Sequence, residues 1–167
     1  MEMQKYFYTE KFTLIPQQVY TPQLGREALA AQFLLGDEDA VGTYIPQGEE
    51  AVVVYHQFQE GLPFVVRLME EAAAIGDFNK VAFHYSKEKA IAHIVIYTGS
   101  ELRLANSFKV DSYESALYFL FLSIRGLQMN PQQCVVHICW NIDPAQKLTA
   151  DRFFKGTQVN DLDIHII

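Results

Sequence analysis

Two β-branched runs joined by a glycine turn, with an apolar helix directly after them, constrain this chain more than any other stretch. The run Ala90-Ile-Ala-His-Ile-Val-Ile-Tyr97 suits a pleated, half-buried surface, and it faces Leu102-Arg-Leu-Ala-Asn-Ser-Phe-Lys-Val110 across Thr98-Gly99-Ser100-Glu101. That pattern predicts a β-hairpin. Asp111 then offers an N-cap oxygen and Glu114 follows three residues on, the arrangement of a capping box, so a helix is expected to start there. Tyr113, Ala116, Leu117, Leu120, Phe121, Ile124 and Leu127 keep the i, i+3, i+4 spacing, while Tyr118, Phe119 and Leu122 carry the apolar stripe further round the cylinder. Such a helix is expected to show little surface to water, with one side on the hairpin and the other against a second layer or lobe. Gly126 and Asn130-Pro131 supply the stop.

The flanking segments read in order as follows. Lys5 to Ile15 is extended, with Tyr6, Tyr8, Phe12 and Leu14 on one parity and a stop at Pro16. Thr21-Pro22 opens a helix that carries Leu24, Ala28, Leu29, Ala31, Phe33 and Leu34 and ends near Gly36. Strands follow around Ala40 to Ile45 and over Ala51 to His56, then a helix from Leu62 to Ile75 that closes at Gly76. Lys80 to Ser86 resumes the sheet pattern. After the central helix, Cys134-Val-Val-His-Ile-Cys-Trp140 is nearly continuous in apolar character, as an interior parallel strand covered on both faces would be. Asn141-Ile-Asp-Pro144 leads into a helix through Phe153 and Phe154, broken at Gly156, and a last strand is expected over Asp161 to Ile167.

Half of the 167 residues are hydrophobic, enough for a packed core without staples. The 13 basic and 20 acidic residues give a net charge of −7, and no run of Lys or Arg builds a positive stripe. Nucleic acid is therefore not an expected partner, since that affinity comes largely from cations displacing condensed counterions. Neither a secretory leader nor an apolar run long enough to span a bilayer is visible, and the expected location is cytoplasmic, without membrane insertion. Cys134 and Cys139 lie five apart in one expected strand, on opposite faces and beyond disulfide reach, so both are expected as free, buried thiols.

From Lys80 onward the order is strand, strand, strand, helix, strand, helix, strand. Three meandering strands followed by right-handed crossovers describe the ribonuclease-H-like unit from which actin, sugar kinases and heat-shock chaperones are built as doubled lobes. Leu104-Ala-Asn-Ser-Phe108, Tyr118 in an aromatic helix, and the opening Phe12-Thr-Leu-Ile-Pro16 add to this: the chain resembles an uncharacterised family of bacterial proteins with an actin-like ATPase fold. The expected class is α/β with a meander start, a mixed actin-like sheet, residues 1–79 forming an incomplete first lobe and residues 80–167 a complete second one.

In nucleotide-binding members of that superfamily the first strand of each lobe ends in Asp-x-Gly, the carboxylate serving metal and water while glycine lets backbone N–H groups approach the phosphates. The matching turn here, Phe83-His-Tyr-Ser-Lys-Glu-Lys89, has neither residue. The second phosphate turn would be Trp140-Asn141-Ile142-Asp143, which has no paired glycines. The nucleotide site is thus expected to be degenerate, and the missing strand carboxylates equally argue against a two-metal nuclease. Ser86 and Lys87 could hold an anion, although a Ser-Lys pair is also ordinary turn chemistry. His84 and His137 fall on neighbouring strands, with Cys139 on the face of His137, but without the close spacing of a zinc site. A Cys139–His137 nucleophile lacks an orienting third group. Thr98-Gly99-Ser100 has no Walker continuation and reads as a hairpin turn. No catalytic, cofactor-binding or metal-ligating residue is assigned, and no cofactor is expected.

The expected role is a non-catalytic interaction or scaffold protein that keeps an actin-like architecture without its phosphate loops. The alternatives are an atypical nucleotide-binding or phosphotransfer protein, or a small-molecule-binding module using the cleft between lobes. The 22 aromatic residues are mostly core, and a leftover apolar patch would be a partner site. The strand at Lys5 to Ile15 corresponds to only the third strand of a lobe, so it is expected to leave an open edge and to support a homodimer, or a partner that supplies strands, centred on those residues.

Overall fold

The opening strand is broken in two at Thr9, whose hydroxyl accepts a hydrogen bond from the Lys11 N–H at 2.9 Å, and Phe12 N–H closes the turn on the Glu10 carbonyl. In the computed structural model, which describes residues 3–162 and 164–166, β1 (Lys5–Phe7) and β2 (Phe12–Pro16) therefore join different sheets. β1 is the middle strand of a parallel trio, with Leu62–Pro63 on one side and His165–Ile166 on the other. A single strand over Lys5 to Ile15 with a bare edge is thus not what forms: Lys5–Phe7 is paired on both sides by its own chain, and only β2 lies at the edge of its sheet. The break also shifts the parity, so that Phe7, Thr9, Phe12 and Ile15 are buried rather than Tyr6, Tyr8 and Leu14.

α1 (Pro22–Gln32) starts where the Thr21 hydroxyl accepts from the Leu24 N–H at 3.1 Å. It stops before Phe33 and leaves Leu34 exposed, because Arg26 reaches the carbonyls of Gly36, Asp37 and Asp39 and fixes the next segment as a loop. β3 (Val41–Tyr44) and β4 (Ala51–His56) complete an antiparallel sheet in the order β2-β4-β3, and Leu29 of α1 packs with Ile15, Val52 and Val54 on one face of it. β5 (Leu62–Pro63) and α2 (Phe64–Ala73) follow. The helix expected from Leu62 gives up its first two residues to the parallel trio, since Pro63 pairs with Phe7.

The chain divides into two compact units within α2, one ending at Val66 and taking in the segment from Ile164, the other beginning at Arg67. The second unit is built on β6 (Asn79–Ser86), β7 (Ile91–Thr98) and β8 (Glu101–Lys109), an antiparallel meander. Gly99, at φ +59°, turns the organising hairpin. α3 (Tyr113–Gly126) crosses over to β9 (Val135–Ile138), which lies parallel to β6, and α4 (Pro144–Asp151) to β10 (Gly156–Val159), parallel to β9. The sheet order β10-β9-β6-β7-β8 makes β9 interior. The fifth strand is thus Gly156–Val159 and not Asp161 to Ile167. Lys155 N–H donates to the Cys134 carbonyl at 3.0 Å and seats the chain beside β9 immediately after α4, which ends before Phe153 and Phe154. β11 (His165–Ile166) pairs instead with β1.

Val81, Phe83, Ile94, Ile96, Val136 and Ile138 on one face of this sheet pack with Ala116, Leu117, Leu120 and Ile124 of α3. Each fully buried aliphatic side chain contributes about 1.5–3 kcal/mol, so this face is the main store of stability in the unit. The cap of α3 is Ser112, whose hydroxyl accepts from the Ser115 N–H, while Asp111 accepts from the Ser115 hydroxyl. The capping box therefore sits one residue later than the spacing suggested and lacks its Glu. A bulge between β7 and β8 sets Ile96 opposite Leu104 and Tyr97 opposite Leu102. The extra residue, Arg103, donates to the Leu127 carbonyl at the end of α3. Part of the outer side of α3 is left exposed among the described residues: Tyr118 is 60% exposed and Leu122 43%.

Candidate functional site

The C-terminal ends of β6 and β9 lie side by side, with Phe83 opposite Ile138, and Cys139 N–H extends the ladder onto the Phe83 carbonyl at 2.9 Å. In open sheets with parallel strands, ligands bind beyond the carboxyl ends of those strands. The turns that leave β6 and β9 are therefore the candidate site, and they are the two positions where phosphate loops would stand.

The first turn is closed on itself. Ser86 Oγ accepts from the Lys89 N–H at 3.2 Å, and Ala90 N–H donates to the Lys87 carbonyl at 3.3 Å. Ala90, not glycine, takes the left-handed conformation at φ +52°. The Ser86 hydroxyl is thereby used inside the turn, and Lys87, Glu88 and Lys89 form its exposed rim.

The second turn is filled. The half-buried Trp140 ring lies against Phe83 at 5.2 Å between centroids, His84 at 6.0 Å, Tyr85 at 6.2 Å and Tyr113 at 6.4 Å, all edge-on. Asp143, the one carboxylate of the turn, accepts from the Ala145 N–H at 2.8 Å as the N-cap of α4. Tyr113 donates its hydroxyl to the Gln146 carbonyl at 2.8 Å and ties α3 to α4 beneath the turn.

The electrostatics favour neutral groups. Burial pushes the Tyr113 phenol up to about 12, with the Glu114 and Asp151 carboxylates adding to it. Burial and the Glu71 carboxylate likewise raise the Cys139 thiol to about 12, and burial, then Glu114 and Asp111, raises Tyr85. Burial lowers His84 to about 3 and holds His93 well below its ordinary value, with His84 adding to the effect. Around Trp140 the phenols, thiol and imidazole are all uncharged at neutral pH. The aromatic groups packed around Trp140 present ring edges to it.

His84 does not take His137 as its neighbour. Its ring lies against His93 at 6.2 Å, and His137 Nε2 approaches Asp77 Oδ2 at 3.1 Å. Cys139 bonds the His137 carbonyl through its thiol, and both cysteines are free and buried. Among the described residues no three His, Cys, Asp or Glu converge as a metal cluster. Arg67 pairs with Glu71 at 3.1 Å, and Asn160 donates to the other Glu71 oxygen, a polar patch at the ends of β9 and β10.

A family model described as "Protein of unknown function (DUF3822)" matches residues 58–152, more than half of the chain. The chain belongs to that family. The match takes in α2, the meander, α3 and both turns, so the site of this DUF3822 member lies inside the shared region. No curated protein matches it. A crystal structure from Bacteroides thetaiotaomicron VPI-5482, described as a protein with actin-like ATPase fold and unknown function, superposes with a TM-score of 0.74 at 16% identity. The superposition covers 93% of this chain and 66% of that one, so the chain spans 66% of that protein's length. The fold is therefore actin-like, a mixed α/β architecture. No helix of the described residues is long and apolar enough to cross a membrane.

The missing glycines were readable from the sequence, but the use made of Trp140 was not. The signal for it was available: the only tryptophan of the chain stands at the end of the interior strand, three residues before an Asp-Pro helix start.

Proposed function

We propose that this chain is a non-catalytic interaction protein that retains an actin-like fold while its phosphate-turn positions serve structure. The observation that carries the reading is Trp140, seated among Phe83, Tyr85 and Tyr113 at the end of β9, with Asp143 committed to capping α4. A metal-bound triphosphate at that point would have to displace the ring and recruit a carboxylate already bonded to backbone. Losing such charge-stabilising groups costs orders of magnitude in rate for each one. The interaction half of the reading rests on the exposed aromatic and aliphatic side chains of α3 and the segment after α4, Tyr118, Leu122 and Phe153.

The test is the melting temperature with and without millimolar ATP and magnesium. A ligand that binds only the folded state must raise it, by about 2.7 kcal/mol of stability at a hundred times Kd. No shift is expected. A magnesium-dependent rise, with ATP turnover lost on substituting a residue of either turn, would overturn the proposal.

A further inference from the structure

The outer face of α3 carries a pattern that the candidate site does not use. Glu114, Tyr118, Phe121 and Arg125 follow at intervals of four, three and four residues, which places them in one narrow stripe along the helix. Glu114, Tyr118 and Arg125 are exposed and Phe121 is half-buried. Leu122, 43% exposed, borders the stripe. Beside it Leu117, Tyr118 and Phe121 form a groove with Thr149 and Phe153, about 360 Å3 in volume. The Arg125 guanidinium lies 5.9 Å from the centre of the Phe121 ring.

An acid in the first turn and a base in the last turn both suit the helix dipole. The dipole does not account for Tyr118, exposed between them, or for the half-buried Phe121 ring beside it, which packs edge-on against Phe153 yet still reaches the surface. The stripe is, moreover, self-complementary. If a second α3 is laid antiparallel across it, the register that sets Glu114 against Arg125 also sets Tyr118 against Phe121, because both pairs share one midpoint. That coincidence repeats on both sides of a two-fold axis, so a single contact gives two ion pairs at the rim and two aromatic pairs inside. It is the self-matching patch that an isologous dimer requires. The two charges stand about 16 Å apart along the helix, which leaves the intervening aromatic pairs room to exclude water.

We infer that the chain forms a two-fold homodimer through antiparallel α3 helices, with Glu114 of each copy facing Arg125 of the other. A second copy is the occupant because the charge order along the stripe is the reverse of itself when the helix is turned round. This names a partner for the interaction role proposed above but does not depend on nucleotide silence; melting with ATP tests one and the mass in solution tests the other. It also assigns the contact to α3 and not to residues Lys5 to Ile15, whose first strand is already flanked on both sides.

The experiment is sedimentation of the full chain over a concentration series, with far-UV circular dichroism as the check on folding. The wild-type chain is expected to be a dimer. Glu114→Arg alone and Arg125→Glu alone are each expected to raise the dimer dissociation constant roughly 10- to 100-fold, since each places like charges together twice. The double variant E114R/R125E restores opposite pairs and is expected to return to within a few fold of wild type. Tyr118→Ser, on a side chain 60% exposed, is expected to give a folded monomer. A wild-type monomer at every concentration, a dimer that survives Tyr118→Ser, or a double variant no better than the single ones would each overturn the inference.

Discussion

Replacing Leu120 with alanine tests whether α3 holds the second unit together. Its side chain is fully inaccessible in the cluster that joins the helix to Ile94, Val136 and Ile138. Three methyl or methylene groups leave the core, which removes about 2.4 kcal/mol of transfer free energy at about 0.8 kcal/mol each. The sheet beneath is a rigid five-stranded surface and will close only part of the space, so a cavity adds about 1 kcal/mol and the total comes to about 3.5 kcal/mol. Trp140 is the only tryptophan and belongs to this unit, so its fluorescence in a urea titration reports this unfolding directly. With a slope of about 1–1.5 kcal/mol per molar for a domain of this size, the midpoint should fall by roughly 2.3–3.5 M. Leu148→Ala on α4, a side chain 65% exposed, is the control and should change stability by less than about 0.5 kcal/mol. A loss at Leu120 under about 1 kcal/mol, or an equal loss at Leu148, would refute the packing argument.

Other outcomes follow from the same geometry. Because the folded chain holds His84 near 3 while the unfolded chain takes up a proton near 6.5, stability should be full above pH 6.5 and fall through the window down to about 3. His84 alone contributes about 1.4 kcal/mol per pH unit within that window, His93 acts in the same direction, and urea midpoints at pH 7.5 and 5.5, with His84→Gln reducing the difference, check it. Ser112→Ala should cost about 1 kcal/mol and Asp111→Ala clearly less, the reverse of what a cap at Asp111 would give, again by urea titration. Neither Cys134 nor Cys139 should react with a soluble disulfide reagent at pH 8 until urea unfolds the chain, since both are buried and burial raises both thiols.

The second unit was legible over residues 80–140 because its signals there are local and agree with one another. The β-branched runs, the Gly99 turn, the apolar girdle of α3 and the Cys134 to Trp140 run each point to the same meander and crossover. Errors came where a distant partner decides. Asp161 to Ile167 has the alternation of a strand, yet Gly156–Val159 takes the place beside β9, and His165–Ile166 pair with Lys5 and Tyr6 near the other end of the chain. Nothing local marks that choice. Thr9 interrupts what reads as one continuous strand, its hydroxyl accepting from the Lys11 N–H two residues on. On α3, the apolar residues Tyr118 and Leu122 read as buried by composition, while among the described residues they stay 60% and 43% exposed. At the candidate site the sequence showed what the turns lack; only packing shows that Trp140 fills the second turn and that Asp143 is engaged in a cap.

The most direct test of the account uses Trp140 itself. Because the ring stands at the end of β9, among Phe83, Tyr85 and Tyr113, any nucleotide entering between the two turns must move it or stack on it. Titrating the folded chain with ATP and magnesium into the millimolar range while following tryptophan fluorescence should give no saturable change once absorption by the nucleotide is corrected. A saturable, magnesium-dependent change in Trp140 emission would contradict the account.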